Sequence, residues 1–524
     1  MWPGTKGEAA STSLESQVLS GTDRDDANLA QIGKKAVLKR NFGLLSILGF
    51  SCTIIATWEG LLDGGPAGAI YAYIVAWIGT GCSFVVLSEL SSMAPTSGGQ
   101  YHWCAMLAPP SMMKFMSYIT GWVTLIGWQA AFASVSYLAG TEVQGAVIFA
   151  HSHYNPKPWH GTFLLWAVVL VAVGVNVVGG KFFPRLETLI LFLHLGGFLA
   201  IVVALTSKAD HKSAREVFTD FRNGGHLPTD GISFFVGMIG CVFAFAGGDA
   251  AVHMAEECNN AAVAIPRAII LSVAINGTLG FSILVAVLFC MGDVQEALDS
   301  PTGYPYFEIF HQAMGTTSGG LGLSAVLVTM SICAVLGTLA CTSRQFWSFA
   351  RDRGVPGWRL WSHVSSYTHL PIYSILVTMT IACLLGLINI GSSVALNGVL
   401  SMAVSGLYLS YLIVAAMLLY RRCTGAVADL GETDGMQKNV PGAKLVWGPF
   451  HVPGAWGIIV NGYAVIHMTI VVFFSFWPTE IPVHASNMNF SVVGTMGTIL
   501  LAVAYYVLRA HRFYHGPVIE ITAQ

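Results

Sequence analysis

The sequence predicts an all-α membrane protein that crosses the bilayer twelve times. Of the 524 residues, 54% are hydrophobic and only 10% are charged, whereas a soluble domain has about 25% charged residues. Apolar stretches long enough to span a hydrocarbon core of about 30 Å also recur along the whole chain. In addition, the 57 glycines suit the close helix packing that occurs in lipid.

Twelve apolar stretches, called spans 1 to 12, are predicted to form the transmembrane helices. They lie near residues 42–62, 67–90, 115–140, 161–178, 186–206, 231–252, 268–291, 321–341, 371–389, 394–419, 457–477 and 490–508. The chain is thereby divided into a disordered tail over residues 1–41, a twelve-helix domain over 42–510 and a second tail over 511–524.

The distribution of Lys and Arg predicts the orientation in the membrane. An even number of spans puts both termini on one side, and 20 of the 25 Lys and Arg residues lie on that side. Because positively charged loops stay in the cytosol, both termini are predicted to be cytosolic. Asn489, in the sequon Asn489-Phe490-Ser491, then lies outside and is a candidate glycosylation site. The plasma membrane is the expected location, with the vacuolar membrane as the alternative.

Composition and motifs argue against several classes of function. The formal net charge of -2 does not suit a nucleic-acid partner. The ten cysteines show neither a disulfide framework nor metal-ligand spacing, so no metal and no cofactor is predicted. No HExxH, GxSxG or phosphate-binding motif is present, and the protein is therefore not expected to be an enzyme.

Ionisable residues are rare within the predicted spans. Burying a charge in the membrane costs at least ~2.5–3.5 kcal/mol, so each such residue is a functional candidate. Four lie at depth: Glu59 in span 1, His194 in span 5, Asp249 in span 6 and His467 in span 11. His467 is interpreted as structural.

Two of these residues adjoin poor helix-forming sequences. Gly247 and Gly248 precede Asp249 in span 6, and residues 57–60 lie at a similar depth in span 1; glycine inside a helix costs about 1 kcal/mol. Interruptions at equivalent places in two halves of a membrane protein indicate a solute site, because unwound backbone can bond a polar solute. The alternative is a glycine kink for packing, with Asp249 bonded to a neighbouring helix.

Aromatic residues flank both interruptions. Trp58 adjoins Glu59 in span 1, and Phe243 and Phe245 precede the glycines of span 6. Aromatic faces near a carboxylate suit an ammonium or quaternary ammonium group. Ordinary packing of the rings is the alternative interpretation.

Three stretches of the sequence form recognisable motifs: the first runs from Ser88 to Trp103 after span 2, the second from Phe245 to Arg267, and the third from Ser343 to Pro356. Together they resemble the fungal amino-acid/choline permease branch of the amino acid–polyamine–organocation transporters. The resemblance extends over about residues 38–517.

The resemblance implies two inverted five-helix repeats with broken spans 1 and 6, followed by two extra helices. It implies a secondary active transporter that carries a small amine or amino acid between the breaks, since this branch includes choline, γ-aminobutyrate (GABA), polyamine-like, thiamine and amino-acid transporters. The implied substrate-binding residues are Ala56, Thr57, Trp58 and Glu59 of span 1, and Phe243, Phe245, Gly247, Gly248 and Asp249 of span 6.

Relatives are commonly driven by protons, so a proton is the expected coupling ion. Bacterial members have a titratable lysine in span 5 after an Arg-x-x-Thr pattern, and here Arg185 and Thr188 precede His194 at that place. His194 is therefore the predicted proton-coupling residue, because imidazole titrates near physiological pH. The alternative is a neutral histidine bonded to a backbone carbonyl.

A set of charged residues near the predicted cytosolic side is expected to form an inner gate of ion pairs. Its members are Glu256, Glu257, Arg344, Arg351 and Arg353. Solvated loop charges are the alternative. A non-transporting nutrient sensor of the same fold is the alternative function, but such sensors tend to have long cytosolic extensions, and the tails here are short.

One segment departs from the branch. Only residues 60–63 separate Glu59 from the Gly-Gly-Pro before span 2. The outer half of the core, about 15 Å, needs ~10 helical residues. The outer half of span 1 is therefore expected to be truncated, or span 2 to dip into the membrane.

Overall fold

The structure is a computed structural model. It describes residues 21–521 except 56, 58–64, 152, 181, 222, 393–395, 397, 399–400, 431–437 and 485–486. The helices, in chain order, are α1 (Gly21–Gln31), α2 (Leu44–Ile54), α3 (Gly65–Met93), α4 (Gln100–Leu107), α5 (Met113–Ala150), α6 (Pro158–Val178), α7 (Phe183–Lys208), α8 (Ala214–Thr219), α9 (Asp230–Phe245), α10 (Ala250–His253), α11 (Ala261–Cys290), α12 (Val294–Leu298), α13 (Pro305–Met314), α14 (Thr317–Arg351), α15 (Trp358–Trp361), α16 (Ile372–Gly391), α17 (Met402–Cys423), α18 (Gly454–Phe474) and α19 (Ser491–Leu508).

Little else is regular in the described ranges. Two short strands, β1 (Val427–Ala428) and β2 (Leu445–Val446), pair in parallel. Single 3₁₀ turns cover Ala255–Glu257 and Ala510–Arg512.

The predicted all-α membrane fold is confirmed. Among the described residues, 11 helices are long and apolar enough to cross a membrane, and they correspond to spans 2–12, with α9 and α10 together forming span 6. Span 1 is represented by α2, a shorter apolar helix that ends at Ile54. Residues 58–64, where the truncated outer half of span 1 is predicted, lie outside the described residues.

Helices that are five spans apart pack along one another. α3 packs on α11 (spans 2 and 7), α5 on α14 (spans 3 and 8), and α6 on α16 (spans 4 and 9). Two interlocked five-helix repeats are expected to make these pairs. α18 and α19 follow the ten helices of the repeats and pack on α3, α5 and α17 from outside.

Both ends of the described chain pack together on one side of the bundle, called here the terminal face. The backbone N–H of Glu520 donates to the Gly33 carbonyl at 2.7 Å, and Leu29 and Ile32 are buried. The tail over residues 1–41 is predicted to be disordered, but its described part, from residue 21 on, forms α1 and packs on the helix bundle.

A buried ion pair holds this N-terminal segment in place. Lys34 Nζ lies 2.6 Å from Asp352 Oδ1, and both side chains are almost completely buried. Burial opposes ionisation of Asp352, but the Lys34 ammonium and the Arg351 guanidinium together hold the pKa of this carboxyl below its usual value. Two charges 318 positions apart in the chain thus connect the tail to the end of α14.

Candidate solute-binding site

Span 6 is interrupted directly after Phe245. α9 ends there, Ala246 is extended with ψ 143°, Gly247 has φ +91°, and α10 begins at Ala250. Side chains disfavour a φ of this sign, and glycine accepts it. At Gly248 a Cβ atom would lie 1.9 Å from Cε2 of Phe84. The first glycine therefore permits the backbone turn and the second permits the close approach of α3.

The described part of span 1 also ends in a break. α2 stops at Ile54, and Ile55 is extended, with φ -81° and ψ 97°. Asn276 of α11 bonds both sides of this end: its Nδ2 donates to the Cys52 carbonyl at 3.1 Å, and its backbone oxygen accepts from Thr57 Oγ1 at 3.0 Å. A polar side chain inside an apolar helix thus satisfies a carbonyl that the helix end leaves free.

A cavity of about 260 Å³ lies between the two breaks. Its volume is just below the ~300–1,000 Å³ that is typical of sites for drug-sized ligands, so it suits a smaller solute. None of the described lining residues is Asp, Glu, Lys or Arg. The lining residues that bear on solute binding are Thr53, Trp128, His194, Phe243, Gly247, Ser331 and Ala334.

Three side chains of the cavity wall have a polar atom that finds no hydrogen-bond partner among the described residues. These atoms are Trp128 Nε1, His194 Nε2 and Ser331 Oγ. The His194 ring lies near enough to the Asn276 side chain to interact with it. A buried polar atom without a partner costs ~1–3 kcal/mol, and a polar solute in the cavity would satisfy such atoms.

The nine residues predicted to bind the solute divide into three groups. Two line the cavity: Phe243 and Gly247. Four are described but do not line it: Thr57, Phe245, Gly248 and Asp249. Three lie outside the described residues: Ala56, Trp58 and Glu59. Phe245 shows why a residue next to the break need not line the cavity. Its ring packs on Tyr73 of α3 with 5.3 Å between the ring centroids, so it lies on another side of α9 from Phe243.

Asp249 is completely buried and bonded to neighbouring elements. Gln100 Nε2 donates to Oδ2 at 2.6 Å, the Tyr411 hydroxyl donates to Oδ1, and His253 Nε2 lies 3.4 Å from Oδ2. Asp249 therefore connects α10 to α4 and α17, as in the alternative interpretation in which it bonds to a neighbouring helix.

Four of the five predicted gate residues form two ion pairs on the terminal face. Arg344 Nε lies 2.8 Å from Glu257 Oε1. Arg351 donates two parallel hydrogen bonds to Glu256, each 2.8 Å long. These side chains are at most 9% exposed, so they are not the solvated loop charges of the alternative interpretation.

Arg353, the fifth predicted gate residue, has no ion-pair partner among the described residues. It is exposed, and its guanidinium lies 5.1 Å from the centre of the Trp358 ring. Its neighbour Asp352, which sequence reasoning missed, binds Lys34 and accepts a hydrogen bond of 2.8 Å from the Tyr101 hydroxyl. Within the third motif, Asp352 is therefore buried in an ion pair while its neighbour Arg353 is exposed.

The three motifs meet in one bonded cluster under the cavity. Gln100 and Tyr101 of the first motif bond Asp249 of the second and Asp352 of the third. The two ion pairs join the second motif to the third. The terminal face is thereby closed beneath the cavity.

The cavity adjoins a vestibule of about 620 Å³ on the opposite face. Trp477 and Thr479, in the loop between α18 and α19, line the vestibule, and Leu138, Gly240 and Phe243 line both spaces. Among the described residues, the cavity therefore borders the vestibule on the face opposite the termini and is closed off by the bonded cluster on the terminal face.

Asn489, the predicted glycosylation site, lies in the wall of the vestibule, and its side chain is already hydrogen-bonded there. Its Nδ2 donates to the carbonyls of Ser475 at 2.8 Å and Trp477 at 3.0 Å, and its Oδ1 accepts from Ser491. A sugar on Nδ2 would replace one donor hydrogen and break one of these bonds. Glycosylation stays a prediction, and this geometry weighs against it.

Comparison with known proteins identifies the family. Residues 42–499 match the family model described as amino acid permease. The chain belongs to the amino acid permease family. This confirms the resemblance seen in the three motifs, and the permease is a multi-pass membrane transporter of small molecules, not an enzyme.

Relatives of this permease carry several kinds of solute, by their names. The choline transporter of Saccharomyces cerevisiae is 30% identical over 517 residues, which cover 96% of this chain and 87% of that protein. A putative amino acid/polyamine transporter of Macrophomina phaseolina is 29% identical over 85% of this chain and 96% of its own. The GABA-specific permease of S. cerevisiae is 27% identical over 95% of this chain and 86% of its own.

Proposed function

We propose that this permease imports a small organic ammonium solute of the choline class by proton symport. The excess of Lys and Arg on the terminal side supports a cytosolic terminal face. The vestibule then opens to the outside, in the plasma membrane or, as the alternative, the vacuolar membrane. A zwitterion such as GABA or an amino acid is the alternative solute.

The polarity of the helix ends at the cavity carries the proposal. Two helix C-termini border the cavity, that of α2 at Ile54 and that of α9 at Phe245. The N-terminus of α10 follows the same break, but no residue of α10 is among the described lining residues. A helix C-terminus carries about half a negative elementary charge and stabilises a cation by up to ~2 kcal/mol in a partly buried site. No charged side chain among the described lining residues competes with this effect. The cavity therefore favours a positive solute.

The side chains of the cavity suit the remaining parts of such a solute. The rings of Trp128 and Phe243 offer aromatic faces to an ammonium group. The Trp128 Nε1, His194 Nε2 and Ser331 Oγ atoms, which have no hydrogen-bond partner among the described residues, suit a hydroxyl group. The name of the choline transporter among the relatives supports the same class.

Uptake by a cell that lacks its own choline uptake tests the proposal. Labelled choline, GABA and several amino acids are supplied at two external pH values, with the amount of permease at the membrane measured in parallel. Saturable choline uptake that is faster at the lower pH is the expected result. Preference for GABA or for neutral amino acids would contradict the ammonium class. No uptake of any solute would favour the sensor.

Replacing Phe243 with leucine is expected to weaken choline uptake, because a ring face within reach of the cavity is lost. Cation–π contacts contribute ~0.5–2 kcal/mol, which corresponds to roughly a 2- to 30-fold higher KM. Phe243→Tyr keeps the ring and serves as the matched control. Equal weakening of choline and of its uncharged isostere, with carbon in place of nitrogen, would contradict a cation–π contact.

Replacing His194 with glutamine tests the predicted coupling residue. His194 lines the cavity and has a free Nε2 atom among the described residues. If His194 carries the coupled proton, His194→Gln flattens the dependence of choline uptake on external pH, because glutamine does not titrate. Unchanged uptake with an unchanged pH profile would exclude His194 from coupling.

A further inference from the structure

Asp249 and His253 form a buried pair one layer below the cavity. Both side chains are completely buried. The ring of Trp128, which lines the cavity, packs edge-on against the His253 ring with 5.5 Å between centroids. Trp128 thus separates the pair from the solute cavity, and the pair lies on the side of the break that leads to the ion pairs.

The ordinary charge states of the two residues cannot complete the hydrogen bonding of the pair. His253 Nδ1 lies 2.9 Å from the Ser97 carbonyl oxygen, and Nε2 lies 3.4 Å from Asp249 Oδ2. A carbonyl and a carboxylate only accept hydrogen bonds, and a neutral imidazole has a single N–H. With the hydrogen on Nδ1, Nε2 keeps a lone pair beside the carboxylate and has no hydrogen-bond partner among the described residues. With the hydrogen on Nε2, the lone pair of Nδ1 faces the Ser97 carbonyl oxygen.

One additional proton removes this repulsion. It converts His253 into an imidazolium whose Nδ1–H donates to Ser97 and whose positive charge lies beside the carboxylate, or it converts Asp249 into an acid, which removes the negative charge beside the Nε2 lone pair. In either form the pair holds one proton more than a neutral histidine and an ionised aspartate. Because the pair is buried, the repulsion in the absence of that proton is poorly screened.

The groups around the pair do not replace the extra proton. Gln100 and Tyr411 already donate to Asp249, but both are uncharged donors. Among the described residues, the titratable groups that face Asp249 from neighbouring elements are Tyr408 and Tyr411 of α17 and Cys341 of α14. None of them is a cation. Along the chain, Glu256 and Glu257 follow, and both are paired with arginines.

We propose that Asp249 and His253 together bind one transported proton, an inference that rests on the proposed proton symport. In the described state, closed at the cytosolic side, the pair is protonated. Opening that side separates α10 from Ser97 and Gln100, because the bonds to these residues hold α10 against the closed face. Water then reaches the pair and bonds both lone pairs, and the proton leaves to the cytosol.

The Asp249–His253 pair is also connected, through direct contacts, to the ion pairs of the terminal face. Glu256 is three residues after His253, binds Arg351, and accepts a bond of 3.3 Å from the Ser97 backbone N–H. Ser97 therefore contacts both the proton site and the ion pairs. Movement of this segment links loss of the proton to opening of the ion pairs.

Purified full-length protein in vesicles tests the inference, with choline as the probe. The experiment compares the wild type, Asp249→Asn, His253→Gln and His194→Gln. His211→Gln, an exposed loop histidine, is the matched control. Two quantities are measured: choline accumulation driven by a pH gradient, and exchange of internal for external choline at equal pH. A gradient of about 1 pH unit sustains about tenfold accumulation of a solute that moves with one proton.

We expect Asp249→Asn and His253→Gln to exchange choline at a measurable rate that no longer depends on pH, and to accumulate none. Both replacements keep nearly the size and shape of the original side chain. The test can be decided as long as at least one of the two variants still exchanges choline. If either variant accumulates choline to the wild-type level, the proton site is overturned while the proposed symport stands. If only His194→Gln then loses choline accumulation, the proton is assigned to His194. A wild type that exchanges but never accumulates choline overturns the symport itself and this inference with it.

Discussion

Reversing the charge of Arg344 or of Glu257 alone is expected to abolish concentrative uptake, and reversing both is expected to restore it. Arg344 Nε lies 2.8 Å from Glu257 Oε1, and both side chains are at most 5% exposed. Removing one partner of a buried ion pair costs about 3–5 kcal/mol, because the other charge is left buried and unpaired. That is enough to shift the closed cytosolic side to a minor population.

The controls separate the gate from general damage. Arg353→Glu changes the same kind of charge nine residues further on, but Arg353 is exposed and stacks on Trp358. It should leave uptake near the wild-type level. All variants are measured for choline uptake and for protein at the membrane. If the double reversal stays inactive although it reaches the membrane in normal amount, the ion pair does not act as a gate.

Replacing Gly248 with alanine is expected to remove transport or folding. The added methyl group would lie 1.9 Å from Cε2 and 2.3 Å from Cζ of the Phe84 ring, which is completely buried. Overpacking of this kind lowers the free energy of unfolding by ~1–3 kcal/mol or more. In this case the clash would push the backbone at Gly248 away from α3. Choline uptake and the thermal unfolding temperature of the purified protein measure the effect.

A second substitution tests whether the ring is the cause. Phe84→Leu lacks the two ring atoms that clash, so the double variant Gly248→Ala/Phe84→Leu should regain part of the lost unfolding temperature. Gly196→Ala is the matched control, since a Cβ atom on Gly196 of α7 meets nothing within 4 Å. A Gly248→Ala protein that is as stable and active as the control would show that the break does not need this contact.

The fold follows from local properties of the sequence. The length and apolar character of each stretch determine a span, because lipid requires every backbone group to be bonded within the helix. The break in span 6 is local too, since Gly247 and Gly248 are adjacent. The tail over residues 1–41 is polar and predicts disorder, yet Lys34 is buried because Asp352 lies opposite it. That partner is 318 positions away, and no local pattern indicates it.

The site could be predicted only in part. Phe243 and Gly247, two of the residues predicted from the break, line the cavity, but the direction of each side chain depends on the turn between α9 and α10. Asp249 therefore bonds to Gln100 and Tyr411 instead of lining the cavity. Nothing in the sequence indicated that Trp128 lines the cavity, since a tryptophan in an apolar span is common. Asn276 could have been noticed as a polar residue within span 7.

Equilibrium binding of labelled choline to the purified permease tests most directly whether the cavity between the breaks holds the solute. Ala334 lines the cavity, and Ala334→Phe fills it. Ala325→Phe, two and a half turns earlier on the lipid-facing side of α14, is exposed and serves as control. We expect the wild type and Ala325→Phe to bind choline and a folded Ala334→Phe not to bind it. Unchanged binding by Ala334→Phe would contradict the site.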